Sequence, residues 1–101
     1  MPYFIYILYS TSSDIYYVGH TENVERRFYQ HNNPIETKFT SKHLPWLLKT
    51  YFEISDNRAN AMKAEKYIKK QKSKKFIKKL ISDKAEQDRL VQLVRVPFER
   101  D

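Results

Sequence analysis

The sequence predicts one α+β domain, with three strands in a single sheet and helices in the order β-β-α-β-α-α. Two observations lead to this prediction. Short runs of aromatic and β-branched residues recur near the N-terminus and in the middle of the chain, which is typical of strands. Between and after them, apolar residues recur with helical spacing behind polar capping residues. A chain of 101 residues, 41% of them hydrophobic, is sufficient for one domain with a modest core.

The first two strands are predicted at residues 3–9 and 15–19. The first run is aromatic and β-branched throughout, as expected for a central strand buried on both faces. A polar turn cluster separates it from the second run, so the two form an antiparallel hairpin. In this hairpin Tyr6 and Tyr17 would lie close together near the centre of the sheet.

Gly19, the only glycine of the chain, follows the second run. A lone glycine at the end of a strand predicts a backbone with positive φ or a close approach to a ligand. An ordinary turn or a bulge is the alternative explanation.

A first helix is predicted from its N-cap Asn23 to a stop before a proline. Val24, Arg27, Phe28 and His31 fall on one stripe of this helix. A stripe that faces a core should be apolar, yet half of this one is an arginine and a histidine. We therefore expect a polar group to meet Arg27 and His31.

Residues 35–45 predict a polar, basic loop, followed by a third strand at residues 46–54. Lys38 and Lys42 of this loop are candidates for contacts with a phosphate backbone, and a solvated linker is the alternative.

The second helix, predicted at residues 57–71, carries Glu65 inside a narrow apolar stripe that includes Ala61 and Ala64. A carboxylate facing the sheet has two explanations. Glu65 forms a buried ion pair with Arg27, or it binds a cation.

A third helix is predicted to begin after its N-cap Ser73, with an apolar face and an outer face of lysines. The lysines face water or phosphate. Residues 1–82 are assigned to one domain, and residues 83–101 to a C-terminal extension that packs on the domain or lies at a subunit interface. The last part of this extension is predicted as either a helix end or a strand.

The formal net charge is +7, with lysines concentrated between residues 63 and 84, which favours a polyanionic partner such as nucleic acid. A solvated lysine-rich helical face is the alternative. The absence of cysteine excludes disulfides and thiolate metal sites and is consistent with a cytoplasmic protein. No apolar run approaches the roughly 18 residues of a membrane span, so no membrane partner is expected.

Several of these residues resemble the GIY-YIG nuclease superfamily. The order and spacing of Tyr6 in Phe4-Ile5-Tyr6, Tyr17-Val18-Gly19, Arg27, His31 and Glu65 carry the resemblance. It extends over residues 2–82 and is greatest to the small single-domain members, which are related to the nuclease domain of the excision-repair incision subunit and to homing endonucleases. The resemblance implies a three-stranded antiparallel sheet flanked by helices.

The resemblance also implies roles for these residues. Glu65 would be the sole protein ligand of one Mg²⁺ or Mn²⁺ ion, and Arg27 would hold the scissile phosphate. Either Tyr6 or Tyr17 would help to take the proton from the attacking water. His31 would contact phosphate or assist the proton transfer, and Gly19 would permit the close approach of the substrate. His20 stands where several active relatives carry lysine, and would assist proton transfer or contact phosphate.

The function expected is a divalent-metal-dependent endonuclease that cuts DNA with low sequence specificity, in repair or recombination, as a monomer or weak homodimer. One alternative is a nucleic-acid-binding module that keeps the fold without cutting, and another is a structural protein whose partner supplies activity. The residues expected to contact nucleic acid are basic: Lys38, Lys42, Lys69, Lys74, Lys75, Lys78 and Lys79.

Overall fold

The computed structural model describes residues 1–35 and 39–95, and for Phe39 only the backbone. Within these residues no helix is long and apolar enough to cross a membrane. The secondary-structure elements are β1 (Tyr3–Ser10), β2 (Ile15–Thr21), α1 (Val24–Asn32), a 3-10 helix (Phe39–His43), β3 (Trp46–Ser55), α2 (Arg58–Gln71), α3 (Lys74–Ser82) and α4 (Lys84–Arg95).

The three strands form one antiparallel sheet in the order β2-β1-β3, so β1 is central. On β1, Tyr6 lies opposite Gly19 of β2 and Tyr51 of β3. The predicted α+β fold and its order of strands and helices are confirmed. Residues 84–95 add a fourth helix to the predicted order.

The two faces of the sheet are covered differently because alternate residues of β1 point in opposite directions. Ile5 and Ile7 face α2, α3 and α4 and belong to the larger core, together with Ile68 of α2. Tyr6 and Leu8 face the other way and form a smaller cluster with α1 and the start of β3. We refer to these as the α2 face and the α1 face of the sheet.

Polar side chains fix the ends of the helices. Asn23 caps α1 by accepting a hydrogen bond from the backbone amide of Arg26 at 3.0 Å, and Ser73 caps α3 in the same way through Phe76. At the other end of α1, the Asn32 amide bonds both the backbone N–H of Trp46, at 2.7 Å, and its carbonyl, at 3.0 Å. The last residue of α1 is thereby attached to the first residue of β3.

The last helix, α4, packs on the α2 face. Leu90 and Val94 are buried in the larger core, and Arg95 donates to the carbonyl oxygen of Ile54 at 3.0 Å. Of the two conformations open for this part of the sequence, the helix is the one observed as far as Arg95. Residues 96–101 lie outside the described part of the chain.

Candidate active site

Tyr6, Tyr17 and His31 meet on the α1 face. The Tyr6 hydroxyl and His31 Nε2 are 2.8 Å apart and share a buried hydrogen bond. The rings of Tyr17 and His31 are 4.8 Å apart between centroids, and those of Tyr6 and Tyr17 are 6.3 Å apart. The polar group expected opposite His31 is therefore the Tyr6 hydroxyl, and the Tyr17 ring packs beside it.

Gly19 makes room for the Tyr6 ring. A Cβ atom at this position would lie 2.5 Å from the Tyr6 hydroxyl oxygen and 2.6 Å from Cζ. The prediction of a strand end with positive φ is wrong, because β2 continues to Thr21 and Gly19 does not have positive φ. The missing side chain is required by cross-strand packing, in which Tyr6 lies directly opposite Gly19.

Tyr6 is 1% exposed, and this burial raises the pKa of its phenol above the ordinary value. Tyr17 and Glu65 raise the pKa further, whereas the nearby charge and hydrogen bond of Arg27 lower it. The net shift is upward, so Tyr6 is a neutral phenol at physiological pH. Tyr17 is only partly buried and is the more accessible tyrosine of the pair.

Glu65 lies on the α2 face, with a side chain that is 21% exposed. Its Oε1 accepts a hydrogen bond from His20 Nδ1 at 2.6 Å, and its Oε2 accepts one from Lys69 Nζ at 2.7 Å. Burial alone would raise the pKa of Glu65, but these two hydrogen bonds outweigh it and lower the pKa below its ordinary value. Glu65 is therefore a carboxylate at neutral pH.

Of the two explanations for Glu65, the ion pair with Arg27 is not formed. The basic partners of Glu65 are Lys69 and His20. Arg27 instead donates to Gln30 Oε1 at 3.1 Å on its own helix, and it is close enough to Tyr6 to influence that phenol.

The edge strand β2 lies between the two groups. The Tyr17 side chain points toward the α1 face, as a Cβ at Gly19 would, whereas His20 points toward the α2 face and Glu65. Lys69 reaches around this edge, because its Nζ lies 5.4 Å from the centroid of the Tyr17 ring while bonded to Glu65. Tyr17 and Glu65 thus lie on the two sides of the same edge strand.

Glu65 is the carboxylate that could hold a metal ion at this site. Among residues 1–35 and 39–95, no three His, Cys, Asp or Glu side chains are placed to hold a metal together. A single carboxylate suits Mg²⁺ or a similar hard ion, which keeps several waters and takes further ligands from substrate phosphates.

Two cavities flank His20. One of about 500 Å³ is bordered by Glu65, Lys63, Lys66 and Lys69. The other, of about 230 Å³, is bordered by two arginines, Arg26 and Arg58, and by the carboxylate residue Glu22. Sequence reasoning did not single out Lys63, Lys66, Arg26 or Arg58 as candidate ligands of phosphate. The three-residue spacing of Lys63, Lys66 and Lys69 on α2 places neighbouring members on one side of that helix, and this signal was available.

The other predicted nucleic-acid contacts are dispersed. Lys74 Nζ donates to the carbonyl oxygen of Asp14 at 2.9 Å and to its carboxylate at 3.1 Å, so it is bonded to the β1–β2 turn. Lys42 is exposed on the 3-10 helix, and Lys38 lies outside the described residues. The remaining three are exposed on α3: Lys75, Lys78 and Lys79.

Comparison with known proteins gives one family and several relatives. The sequence matches the GIY-YIG catalytic domain over residues 2–80. It is 40% identical over 58 residues to a UPF0213 protein of Bacillus cereus, covering 57% of this chain and 59% of that protein. The chain thus spans about 59% of the length of this Bacillus relative.

Two further relatives are covered more fully. The UPF0213 protein CPE1444 of Clostridium perfringens (strain 13 / Type A) is 39% identical over 67 residues, which are 66% of this chain and 70% of that protein. A UPF0213 protein of Pediococcus acidilactici is 34% identical over 80 residues, 77% of this chain and 80% of that protein. No solved structure matches the sequence.

Proposed function

We propose that this chain, which belongs to the family of GIY-YIG catalytic domains, is an endonuclease that hydrolyses phosphodiester bonds of DNA with one Mg²⁺ or Mn²⁺ ion. The observation that carries the proposal is the placement of the Tyr6–Tyr17–His31 cluster and the Glu65 carboxylate on opposite sides of β2, with Lys69 bonded to Glu65 and close to the Tyr17 ring. The chain has a net charge of +7, which favours a polyanionic substrate bound with low sequence specificity. Repair and recombination are the processes in which such cutting would be used.

The two tyrosines have different roles in this proposal. Tyr6 is buried and neutral, and through its 2.8 Å hydrogen bond with His31 it orients the cluster. Tyr17 is the more accessible, and we assign it to accept the proton of the attacking water as that water adds to phosphorus and one phosphodiester P–O bond breaks. Lys69 Nζ lies 5.4 Å from the centroid of the Tyr17 ring and places a positive charge beside this tyrosine.

The charged residues hold the phosphate and the ion. Arg27 binds a non-bridging oxygen of the scissile phosphate with its guanidinium, whose planar fork of donors suits phosphoryl oxygens. Glu65 would hold the divalent ion, and this ion would supply charge stabilisation to the phosphate and the leaving oxygen when bound. His20 orients the Glu65 carboxylate through its 2.6 Å hydrogen bond.

Nicking of a supercoiled plasmid in Mg²⁺, Mn²⁺ or EDTA tests the proposal. We expect nicking that requires the ion and falls at least about 100-fold in Glu65→Gln and in Tyr17→Phe. Tyr29→Phe is the matched control, since Tyr29 is 65% exposed on α1 and should cut as the wild type does. Equal nicking by Glu65→Gln and wild type, or nicking undiminished in EDTA, would overturn the proposal.

One observation favours a second candidate, a binding module that keeps the fold without cutting. Both oxygens of Glu65 already carry hydrogen bonds from basic side chains, an arrangement that a purely structural carboxylate would also show. In that case the wild type would retard the plasmid on a gel and leave it uncut with either ion.

A further inference from the structure

Lys69 occupies the position on Glu65 that a bound cation would need. Its ammonium donates to Glu65 Oε2 at 2.7 Å, and His20 donates to Oε1 at 2.6 Å. Hard divalent ions bind carboxylate oxygens at about 2.1 Å. A divalent ion at Oε2 would therefore lie close to the Lys69 ammonium, and the two positive charges would repel each other.

The Lys69 side chain has freedom to move. It is 49% exposed, whereas the Glu65 side chain is 21% exposed, so its four-carbon chain can turn into solvent without displacing buried neighbours. Lys69 also borders the 500 Å³ cavity together with Lys63 and Lys66, where a phosphate would meet several positive charges. A phosphate at this place offers Lys69 an acceptor in exchange for the carboxylate.

We propose that Lys69 acts as a substitute cation, holding Glu65 in the free protein and moving to a nucleic-acid phosphate when a divalent ion is bound. This inference rests on the proposed function and adds to it a coupling between the binding of nucleic acid and the binding of the divalent ion. Because phosphate favours the state in which Lys69 has left Glu65, nucleic acid and divalent ion strengthen each other's binding, and by linkage the effect is reciprocal. The free protein then binds the ion weakly, which limits cutting to the moment when a substrate strand is in place.

The first arm of the test measures Mn²⁺ binding to the protein alone, by the electron paramagnetic resonance of free Mn²⁺. Lys69→Met keeps the length of the side chain without its charge, and we expect it to tighten Mn²⁺ binding at least about fivefold. Lys70→Met is the matched control: Lys70 is exposed at the next position of α2, and its replacement should leave the Mn²⁺ affinity within about twofold of wild type. In a Glu65→Gln background the gain from Lys69→Met should disappear, because the shared carboxylate is gone.

The second arm measures the affinity for a fluorescent DNA duplex with phosphorothioate linkages, which resist cleavage, with and without Mn²⁺. Wild type and Lys70→Met should bind the duplex more tightly when Mn²⁺ is present, and in Lys69→Met this enhancement should shrink at least about fivefold. Equal Mn²⁺ affinity in wild type and Lys69→Met, or a gain that persists without Glu65, would overturn the coupling. Plasmid nicking separates the two proposals, since metal-dependent nicking with unchanged Mn²⁺ affinity in Lys69→Met refutes the coupling and leaves the nuclease standing.

Discussion

The two faces of the sheet use one strand, β1, for opposite purposes. On the α2 face, Ile5 and Ile7 are completely buried against aliphatic residues of three helices. On the α1 face, Tyr6 is almost as buried, yet its neighbours are polar. It forms a hydrogen bond with His31 and packs against the ring of Tyr17. The α2 face contributes hydrophobic stability, while the α1 face uses its burial to fix polar groups in place.

This difference predicts where substitutions act. On the α2 face a smaller side chain leaves a cavity and lowers the free energy of unfolding. On the α1 face the same burial serves orientation, so a change in shape should disturb the geometry of the tyrosines as well as stability. Glu65 belongs to neither pattern, because it is a carboxylate at the margin of the α2 face that points toward the edge strand.

The largest effect on stability is expected from Ile68→Ala, on the α2 face. Ile68 is 1% exposed in the larger core, so its truncation should lower the free energy of unfolding by about 2–5 kcal/mol, measured by chemical denaturation. Leu93→Ala is the control, because Leu93 is 54% exposed and should change stability by less than about 0.5 kcal/mol. Similar losses in the two variants would contradict the assignment of the main core to the α2 face.

A smaller loss, with a distinctive coupling, is expected from Gly19→Ala on the α1 face. The new Cβ would lie 2.5 Å from the Tyr6 hydroxyl, so the variant should lose about 1–3 kcal/mol through overpacking. In a Tyr6→Leu background the ring is gone, and the cost of Gly19→Ala should fall by at least about 1 kcal/mol in a double-mutant cycle. Additive losses would show that Gly19 is required for a reason other than the Tyr6 ring.

The fold was predictable because its signals are local. The caps Asn23 and Ser73 lie where the sequence placed them, and the apolar spacing of α2 and α3 indicated the face that each buries. Gly19 was harder to interpret, because its requirement comes from the cross-strand register with Tyr6, which no local pattern specifies. The sequence recorded a lone glycine, and only the pairing of β1 with β2 gave the reason for it.

The partners of Glu65 illustrate the same limit. The contact with His20 joins residues 45 positions apart on different elements, so it could not be derived from spacing. Lys69 is four residues from Glu65 on one helix, and that spacing is a known signal for an ion pair. From the sequence, Lys69 was expected to contact a nucleic-acid phosphate, and Arg27 was considered as the ion-pair partner of Glu65. A basic helix face is typical of nucleic-acid binding, and this general signal obscured the local pairing of Lys69 with the carboxylate.

The smallest effect concerns an exposed ion pair, which provides a contrast to Glu65. A hydrogen bond from Tyr9, with a contribution from Lys74, lowers the pKa of Asp14 in the β1–β2 turn. A carboxyl whose pKa is lower in the folded state stabilises the fold above its unfolded pKa, near 3.9, and this stabilisation is lost as pH falls through the folded value.

Asp14→Asn tests this contribution without disturbing the backbone, because residue 14 has a φ of 54° and asparagine tolerates that conformation. At pH 7 the variant should melt below wild type, by about a few degrees at most since the pair is exposed. As the pH falls through the lowered folded pKa of Asp14, the two melting temperatures should converge, because wild-type Asp14 then becomes neutral too. A difference that persists at low pH would assign the stabilisation to the shape of the turn. The charge of Asp14 would then contribute nothing to stability, in contrast to the charge of the half-buried Glu65, which two basic side chains bind.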